Sequence, residues 1–411
     1  MDWSNRFSDI VRERLEDSAI AVMMNIAARE GALLLAAGEP LEDLCPSKRL
    51  KKAFERAHEQ ESHTWGYSHS RTGVLLLRRW IFERMKSDGI LPGWVSPDNI
   101  FITNGSQEGL SLLTESLFDP GDTVMVESPS YPDAFGVFRK EGLELAGVDL
   151  LPDGPDIGSM ERLLSDRKVK AFYTIPSFQN PTGFSTSREK KIRILELARK
   201  YDFLVIEDEP YRDISFDAAP QGSFLAAAGD DDRVLYMGSF SKTISPGLRC
   251  GWIVAPEPLV EVLLKLRTAG TLCLPDIVQQ AVYEFVSEGD FGEHLKHICE
   301  VYRKNRDAMV DFLRRLAGPE GLEINVPSGG FFIWGEIPWI KDIERFGLFA
   351  IKEEKVAFIP GTHFFPGKGM GRDSLRFSFA RVTPEMAEEG AKRMRDALIK
   401  YRMIQEGENR E

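Results

Sequence analysis

Short apolar runs alternate with longer amphipathic stretches from about residue 98 onward. The runs at 100–103, 123–127, 143–148, 171–175, 203–207, 234–238 and 252–255 are apolar and end near turn-forming residues, so they read as buried strands. Between them, 107–117, 132–141, 157–166 and 187–200 carry apolar residues at helical spacing. This alternation predicts an α/β fold, a three-layer α/β/α domain around a mostly parallel sheet of those seven strands. Ligands of such sheets lie at the carboxyl ends of the strands.

Upstream, 1–30 reads as a helix, apolar on one face from Ala19 to Ala28 and closed by Gly31. Residues 32–40 read as extended, 47–60 as a charged helix, 65–73 as an aromatic, glycine-bearing loop and 74–87 as a helix. Downstream, 257–316 is helical, and 322–380 reads as a smaller α+β unit with strands at 323–326, 330–335, 356–360 and 374–379. A helix over 384–402 closes the unit, and 406–411 is a polar tail expected to fray. The expected organisation is an N-terminal arm (1–46), a large domain (47–290) and a small C-terminal domain (291–411). No internal repeat or low-complexity segment interrupts it.

Composition narrows the class. The 411 residues suffice for two domains, and 43% hydrophobic with 28% charged content is ordinary for a globular protein. A formal net charge of −12 argues against nucleic acid as a partner. No apolar run approaches the roughly 18 residues of a membrane span, and the N-terminus lacks the basic start and apolar core of a secretory signal. Cys45, Cys250, Cys273 and Cys299 form no C-x-x-C pair, which fits a reduced cytoplasm and gives a metal site little support. His294 and His297, three apart on a polar helical stretch, are expected to be solvated.

The candidate chemistry centres on Gly238-Ser239-Phe240-Ser241-Lys242-Thr243-Ile244-Ser245-Pro246-Gly247-Leu248-Arg249, between two strand candidates. A lysine where buried strands meet is poorly solvated, so its free amine is favoured and can condense with an aldehyde. Ser239, Ser241 and Arg249 supply the donors and charge that a phosphate needs. An aldehyde bearing a phosphate describes pyridoxal phosphate; the alternative for an isolated S-x-S-K is a surface loop with a solvated lysine.

Other strand ends fit that cofactor. Asp208 closes the run 203–207, on the face opposite Glu207 and Glu209, where a carboxylate can pair with a protonated pyridine nitrogen. Tyr211 follows, placed to donate to the ring's phenolic oxygen. Asn180, in Asn180-Pro181-Thr182-Gly183, stands either in a bare turn or against that oxygen and a substrate carboxylate. Ser106 lies where a strand passes into a helix whose free N–H groups suit an anion. Tyr131 can stack on a flat ring or simply pack. Arg376 lies in an apolar strand, so it must meet a carboxylate, either internal or a substrate's.

Together N-P-T-G, the D-x-x-Y pair and S-x-S-K-x-x-x-P-G-x-R resemble the class I aminotransferases of the pyridoxal-phosphate fold-type-I superfamily. The similarity is greatest to the branch of 2-aminoadipate and kynurenine aminotransferases, with the effector domains of related regulators, and runs from about Ala36 to the helix 384–402. The resemblance implies that Lys242 is the Schiff-base lysine and moves the proton between substrate Cα and cofactor. It implies Asp208 at the pyridine nitrogen, Asn180 and Tyr211 at the ring oxygen, and Tyr131 stacked on the ring. Ser106, Gln107, Ser239, Ser241 and Arg249 hold the phosphate. Arg376 binds the substrate α-carboxylate, assisted by Asn180 and the Gly38 backbone. Tyr67 reaches the phosphate of the partner subunit's cofactor, which implies a homodimer.

One departure bears on substrate. Aminoadipate-directed relatives place an arginine in the N-terminal helix to read a distal carboxylate; counted back from Gly38, that position is Ala21, among Ile20, Val22, Met23 and Met24. An apolar or aromatic amino donor is therefore expected, with Arg71 as the cation for the distal acid of an acceptor such as 2-oxoglutarate. The alternatives are a dicarboxylate aminotransferase, a lyase, racemase or decarboxylase on the same scaffold, and a cofactor-sensing regulator domain.

Overall fold

Eight strands form the large sheet: β1 (Ile100–Thr103), β2 (Thr123–Ser128), β3 (Glu144–Leu151), β4 (Gly154–Pro155), β5 (Ala171–Thr174), β6 (Leu204–Asp208), β7 (Val234–Ser239) and β8 (Gly251–Val254). The computed structural model describes residues 3–15, 17–60, 65–68, 70–217 and 219–408; residue 69 of the expected 65–73 loop and 409–411 of the expected tail lie outside them. The strand order is β1-β8-β7-β6-β5-β2-β3-β4. Pairings β7/β6, β6/β5, β5/β2 and β2/β3 are parallel. β8 runs antiparallel to both β1 and β7, so β1 points the same way as β7. The seven anticipated strands are present, and the short hairpin strand β4 is an addition.

β1, β2 and β5 to β7 are buried along almost their whole length, because helices cover both faces. Gly105–Leu117, Pro132–Lys140, Ile157–Asp166 and Arg188–Tyr201 supply four of those helices, each within two residues of the expected bounds. All strands that carry candidate residues end at one edge of the sheet.

A second, antiparallel sheet holds β9 (Glu323–Ile324), β10 (Phe332–Glu336), β11 (Ile359–Pro360) and β12 (Ser374–Ser378), in the order β9-β10-β12-β11. Arg376 lies in its interior, paired with Trp334 on one side and Ile359 on the other. The anticipated strand at 356–360 divides: Val356–Ala357 pairs instead with Leu33–Leu34. The helix expected over 1–30 also divides, into short turns at Ser4–Arg6 and Ile10–Arg14 and an α-helix at Ala19–Arg29. Ser18 starts that helix by accepting a hydrogen bond from the Ala21 amide. The stretch 257–316 breaks near Pro275 and Gly289 into Glu257–Gly270, Asp276–Ser287 and Asp290–Phe312. The closing helix runs over Pro384–Glu408. No helix among the described residues is long and apolar enough to cross a membrane.

Candidate active site

A cavity of about 310 Å³ opens at the carboxyl edge of the large sheet, beneath the small one. Lys242, Asp208, Asn180, Tyr211, Tyr131 and Arg376 all line it, as do Gly38, Ser106, Gln107, Ser241 and Arg249. Positions as far apart in the sequence as Ile20 and Arg376 meet there.

Lys242 follows the end of β7 and is half-buried. Its Nζ donates to the Gly38 carbonyl at 3.0 Å and lies 6.0 Å from the Tyr211 ring centroid. Burial pulls its amine from 10.5 down to about 8, with Glu39 opposing the shift and Arg376 and Arg249 adding to it. Because the folded value is below the unfolded one, the penalty is fully present below about pH 8 and fades as pH rises toward 10.5. Apoprotein bearing Lys242→Met should therefore melt higher than apo wild type at pH 7, by roughly 3 kcal/mol at most, with the gap closing as the solution is made alkaline. Urea melts across that range check it; a gap independent of pH contradicts it.

His294 anchors the same loop. Its buried ring has Nε2 2.8 Å from the Thr243 carbonyl, and since a carbonyl only accepts, Nε2 donates. The expectation of a solvated pair is corrected here: His297 is exposed, but His294 packs edge-on against Phe285. No group of metal-ligating side chains occurs among the described residues.

Asp208, at the end of β6, is 5% exposed. One carboxylate oxygen, Oδ2, accepts from the Tyr173 hydroxyl at 2.8 Å, while Oδ1 is buried with no partner among the described residues. Burial pushes its carboxyl up to about 7, against the Tyr173 bond. A buried carboxylate oxygen left open fits a cationic ring N–H of pyridoxal phosphate. Glu207 and Glu209 face away, as alternation requires: Glu207 accepts from the Phe224 and Leu225 amides at 2.7 and 2.9 Å, Glu209 from Ser177 Oγ at 2.8 Å.

The Asn180 turn is held from behind. Gln179 donates to Glu127 at 3.0 Å and to the Pro129 carbonyl at 2.8 Å, and accepts from the Thr182 amide and hydroxyl. Gly183, at φ +69°, packs so closely that a Cβ would lie 2.7 Å from Pro327. Asn180 Oδ1 accepts from Arg376 Nη1 at 2.9 Å; a guanidinium only donates, so the amide NH₂ is turned away, toward the Tyr211 hydroxyl.

Arg376 is 2% exposed and has no acidic partner among the described residues. Nη2 donates to the Ala36 carbonyl at 3.0 Å, Nε has no partner among the described residues, and the guanidinium carbon lies 4.2 Å from the Phe332 ring centroid. Burial lowers its proton affinity to about 10, which leaves it charged at neutral pH. A fixed internal carboxylate is therefore replaced by open space facing the cavity.

Ser106 and Gln107 open the helix Gly105–Leu117, whose Asn104 N-cap makes no side-chain capping bond. A Cβ on Gly105 would lie 2.4 Å from Arg249 Nη2, so only glycine lets the guanidinium close over the helix start. The first amides of a helix have no partner within it, and beside that cation they suit a phosphate. Ser239 stands behind the wall and accepts from the Ser241 amide at 3.1 Å.

Two of the named residues lie outside this chain's own cavity, and one of them, Tyr67, was expected at the partner's site. Tyr67 is 78% exposed and outside the cavity. Arg71 lines a separate surface cleft with Glu261 and Lys265, outside this chain's own cavity. In the N-terminal helix, Ala21 is exposed; Ile20 and Met24 line the cavity instead. Tyr173, Gln179, Glu127, Glu39 and Phe332 complete the surroundings without having been anticipated. Tyr173 had a signal, since both strands were evident, but their register was not.

The sequence profile described as "Aminotransferase class I and II" matches residues 30–394. The chain belongs to this family. It is 33% identical to the 2-aminoadipate transaminase of Thermus thermophilus, over 97% of this chain and 98% of that one. It is 30% identical to aromatic-amino-acid aminotransferase 1 of Thermococcus litoralis, over 97% and 95% of the two chains. The crystal structure of alpha-aminoadipate aminotransferase from Thermus thermophilus, complexed with N-(5'-phosphopyridoxyl)-L-leucine, superposes with a TM-score of 0.89 at 32% identity and covers 98% of this chain and 100% of its own. The aminotransferase described here is thus a pyridoxal-phosphate-dependent enzyme of fold type I, acting on amino and 2-oxo acids.

Proposed function

We propose that this enzyme moves the α-amino group between an apolar or aromatic amino acid and a 2-oxo acid, with the residues above in the following roles. What carries the reading is one cavity in which a desolvated amine, an unpartnered carboxylate oxygen and a buried guanidinium without an acid converge. Pyridoxal 5′-phosphate, when bound, supplies an aldehyde that condenses with amines and a ring that draws electrons from the substrate Cα. Asp208 keeps positive charge on the ring nitrogen. Asn180 and Tyr211 hold the ring oxygen, and Tyr131 packs on the ring. Ser106, Gln107, Ser241 and Arg249, with Ser239 supporting Ser241, hold the phosphate. Lys242 Nζ is the attachment point and takes and returns the proton at the substrate Cα. Arg376 grips the α-carboxylate of donor and acceptor alike, since both half-reactions use one site.

The substrate preference rests on the wall. Ile20, Met24 and Phe332 are apolar, and the charges left in the lining are acids: Glu39, which pairs with Arg381 at 3.0 Å, and Asp133, which accepts from Ser18 Oγ at 3.1 Å. Lys242, Arg249 and Arg376 are already engaged, so among the described residues that line the cavity a distal carboxylate would meet no free cation. Leaving such a charge uncompensated costs about 1–3 kcal/mol or more. Leucine, methionine and phenylalanine should then exceed aminoadipate and glutamate in kcat/KM by about tenfold. The named relative favours the other outcome, a dicarboxylate donor. A donor panel with a fixed acceptor decides it, and a higher kcat/KM for aminoadipate than for leucine sinks the apolar reading.

The same reading makes the enzyme a homodimer in which Tyr67 completes the partner's site; exposed Trp65, Tyr67, Leu75 and Leu76 support it. The separate sheets support an arm (1–46), a large cofactor domain (47–290) and a small domain (291–411). Four free cysteines support a cytoplasmic location.

A further inference from the structure

Arg267, in the helix Glu257–Gly270, is 2% exposed and has no role assigned so far. Its guanidinium carbon lies 3.9 Å from the Phe101 ring centroid. Nη1 donates to the Arg71 carbonyl and Nη2 to Glu108 Oε2, both at 3.3 Å, and Nε has no partner among the described residues. Burying a guanidinium with a single acid is costly, and an apolar side chain of similar size would fill this space against Phe101 more cheaply. The cation therefore has to be explained by what it holds.

It holds two loops. Glu108 Oε2 also accepts from the Asn104 amide at 2.6 Å, and the Asn104 carbonyl accepts from Arg249 Nη2 at 3.2 Å. Both backbone groups of Asn104 are thus fixed immediately before Gly105, Ser106 and Gln107. The other end of Arg267 grips Arg71, four residues beyond the exposed Tyr67.

We propose that Arg267 is a positioning residue that couples the phosphate cradle of its own subunit to the loop that carries Tyr67 to the partner's site. Each subunit's Arg267 then tightens two cofactor phosphates, its own through Glu108 and Asn104, and the neighbour's through the 65–73 loop. This rests on the cradle and dimer readings given above.

Apoprotein of the full chain is titrated with pyridoxal phosphate, with inorganic phosphate and with pyridoxal, which lacks the phosphate. Arg267→Met should weaken the first two by at least about tenfold and leave pyridoxal affinity unchanged, a selectivity that mere loss of stability does not produce. Combined with Tyr67→Phe, its effect on pyridoxal phosphate should be less than the sum of the two single losses. Strict additivity overturns the link to the loop. Equal losses for pyridoxal and its phosphate, or no loss, overturn the link to the cradle, provided Ser106→Ala still loses phosphate affinity selectively. If Ser106→Ala loses none, the cradle reading and this proposal fall together. Should Arg267→Met not fold, Glu108→Gln, which weakens the hold on Asn104, is read the same way: selective loss supports the coupling and unchanged affinity refutes it.

Discussion

Replacing Lys242 with alanine should lower amino transfer by about ten-thousandfold or more and leave the fold standing. Both functions proposed for the side chain depend on its amine: covalent attachment and proton movement at Cα. General acid–base work alone is worth about 10²–10⁴ in rate, and losing attachment adds to that. The fold should tolerate the change, because the native amine is held against its solvation preference and makes one hydrogen bond, to the Gly38 carbonyl. The readouts are kcat, the visible absorbance of cofactor-loaded protein, and a melt of the apoprotein. Activity within tenfold of wild type would rule Lys242 out of both roles.

Asp208→Asn should cost about 10²–10³ in kcat while reducing cofactor affinity much less. Asparagine keeps the shape and can still meet the Tyr173 hydroxyl, which donates to Oδ2 at 2.8 Å in the native protein. What it cannot keep is the negative charge that a cationic ring nitrogen requires. Burial disfavours the ionised form and pushes that carboxyl up to about 7. A cation within reach of the open Oδ1 pulls it down and holds it ionised at working pH. The phosphate contacts are untouched, so binding survives in the main. An Asp208→Asn enzyme with wild-type kcat would mean that the open oxygen serves some other group.

Much of this site was legible because its chemistry is local. Lys242, Asp208, Asn180 and Arg376 each break the pattern of the apolar run beside them, and strand ends in a parallel sheet are where such breaks become sites. What was not legible depends on how separate elements are set against one another. Tyr173 meets Asp208 because β5 and β6 pair Tyr173 with Ile206, two residues before the aspartate and on the same face. The N-terminal helix begins only at Ala19, behind its Ser18 cap, and that phase turns Ile20 and Met24 inward and Ala21 out. His294 lies in a polar stretch, yet the turn of its helix carries it under the Lys242 loop. The split of 356–360 between two sheets has the same origin, since apolar content cannot say which neighbour a strand finds. Arg71 was a cation chosen for its sign, and within its own subunit it lies at a surface cleft with Glu261 and Lys265 while its carbonyl accepts from Arg267.

A single turnover tests the whole most directly. Cofactor-loaded enzyme is mixed with excess leucine and no acceptor, and the products are counted against active sites. One equivalent of the corresponding 2-oxo acid should appear per site, with the amino group retained on the protein-bound cofactor and released only when a 2-oxo acid is added. Release of carbon dioxide would show that a different bond at the same carbon is broken, and racemised leucine with no 2-oxo acid would show that the Cα proton is returned to Cα and the amino group is not transferred; either result contradicts the account.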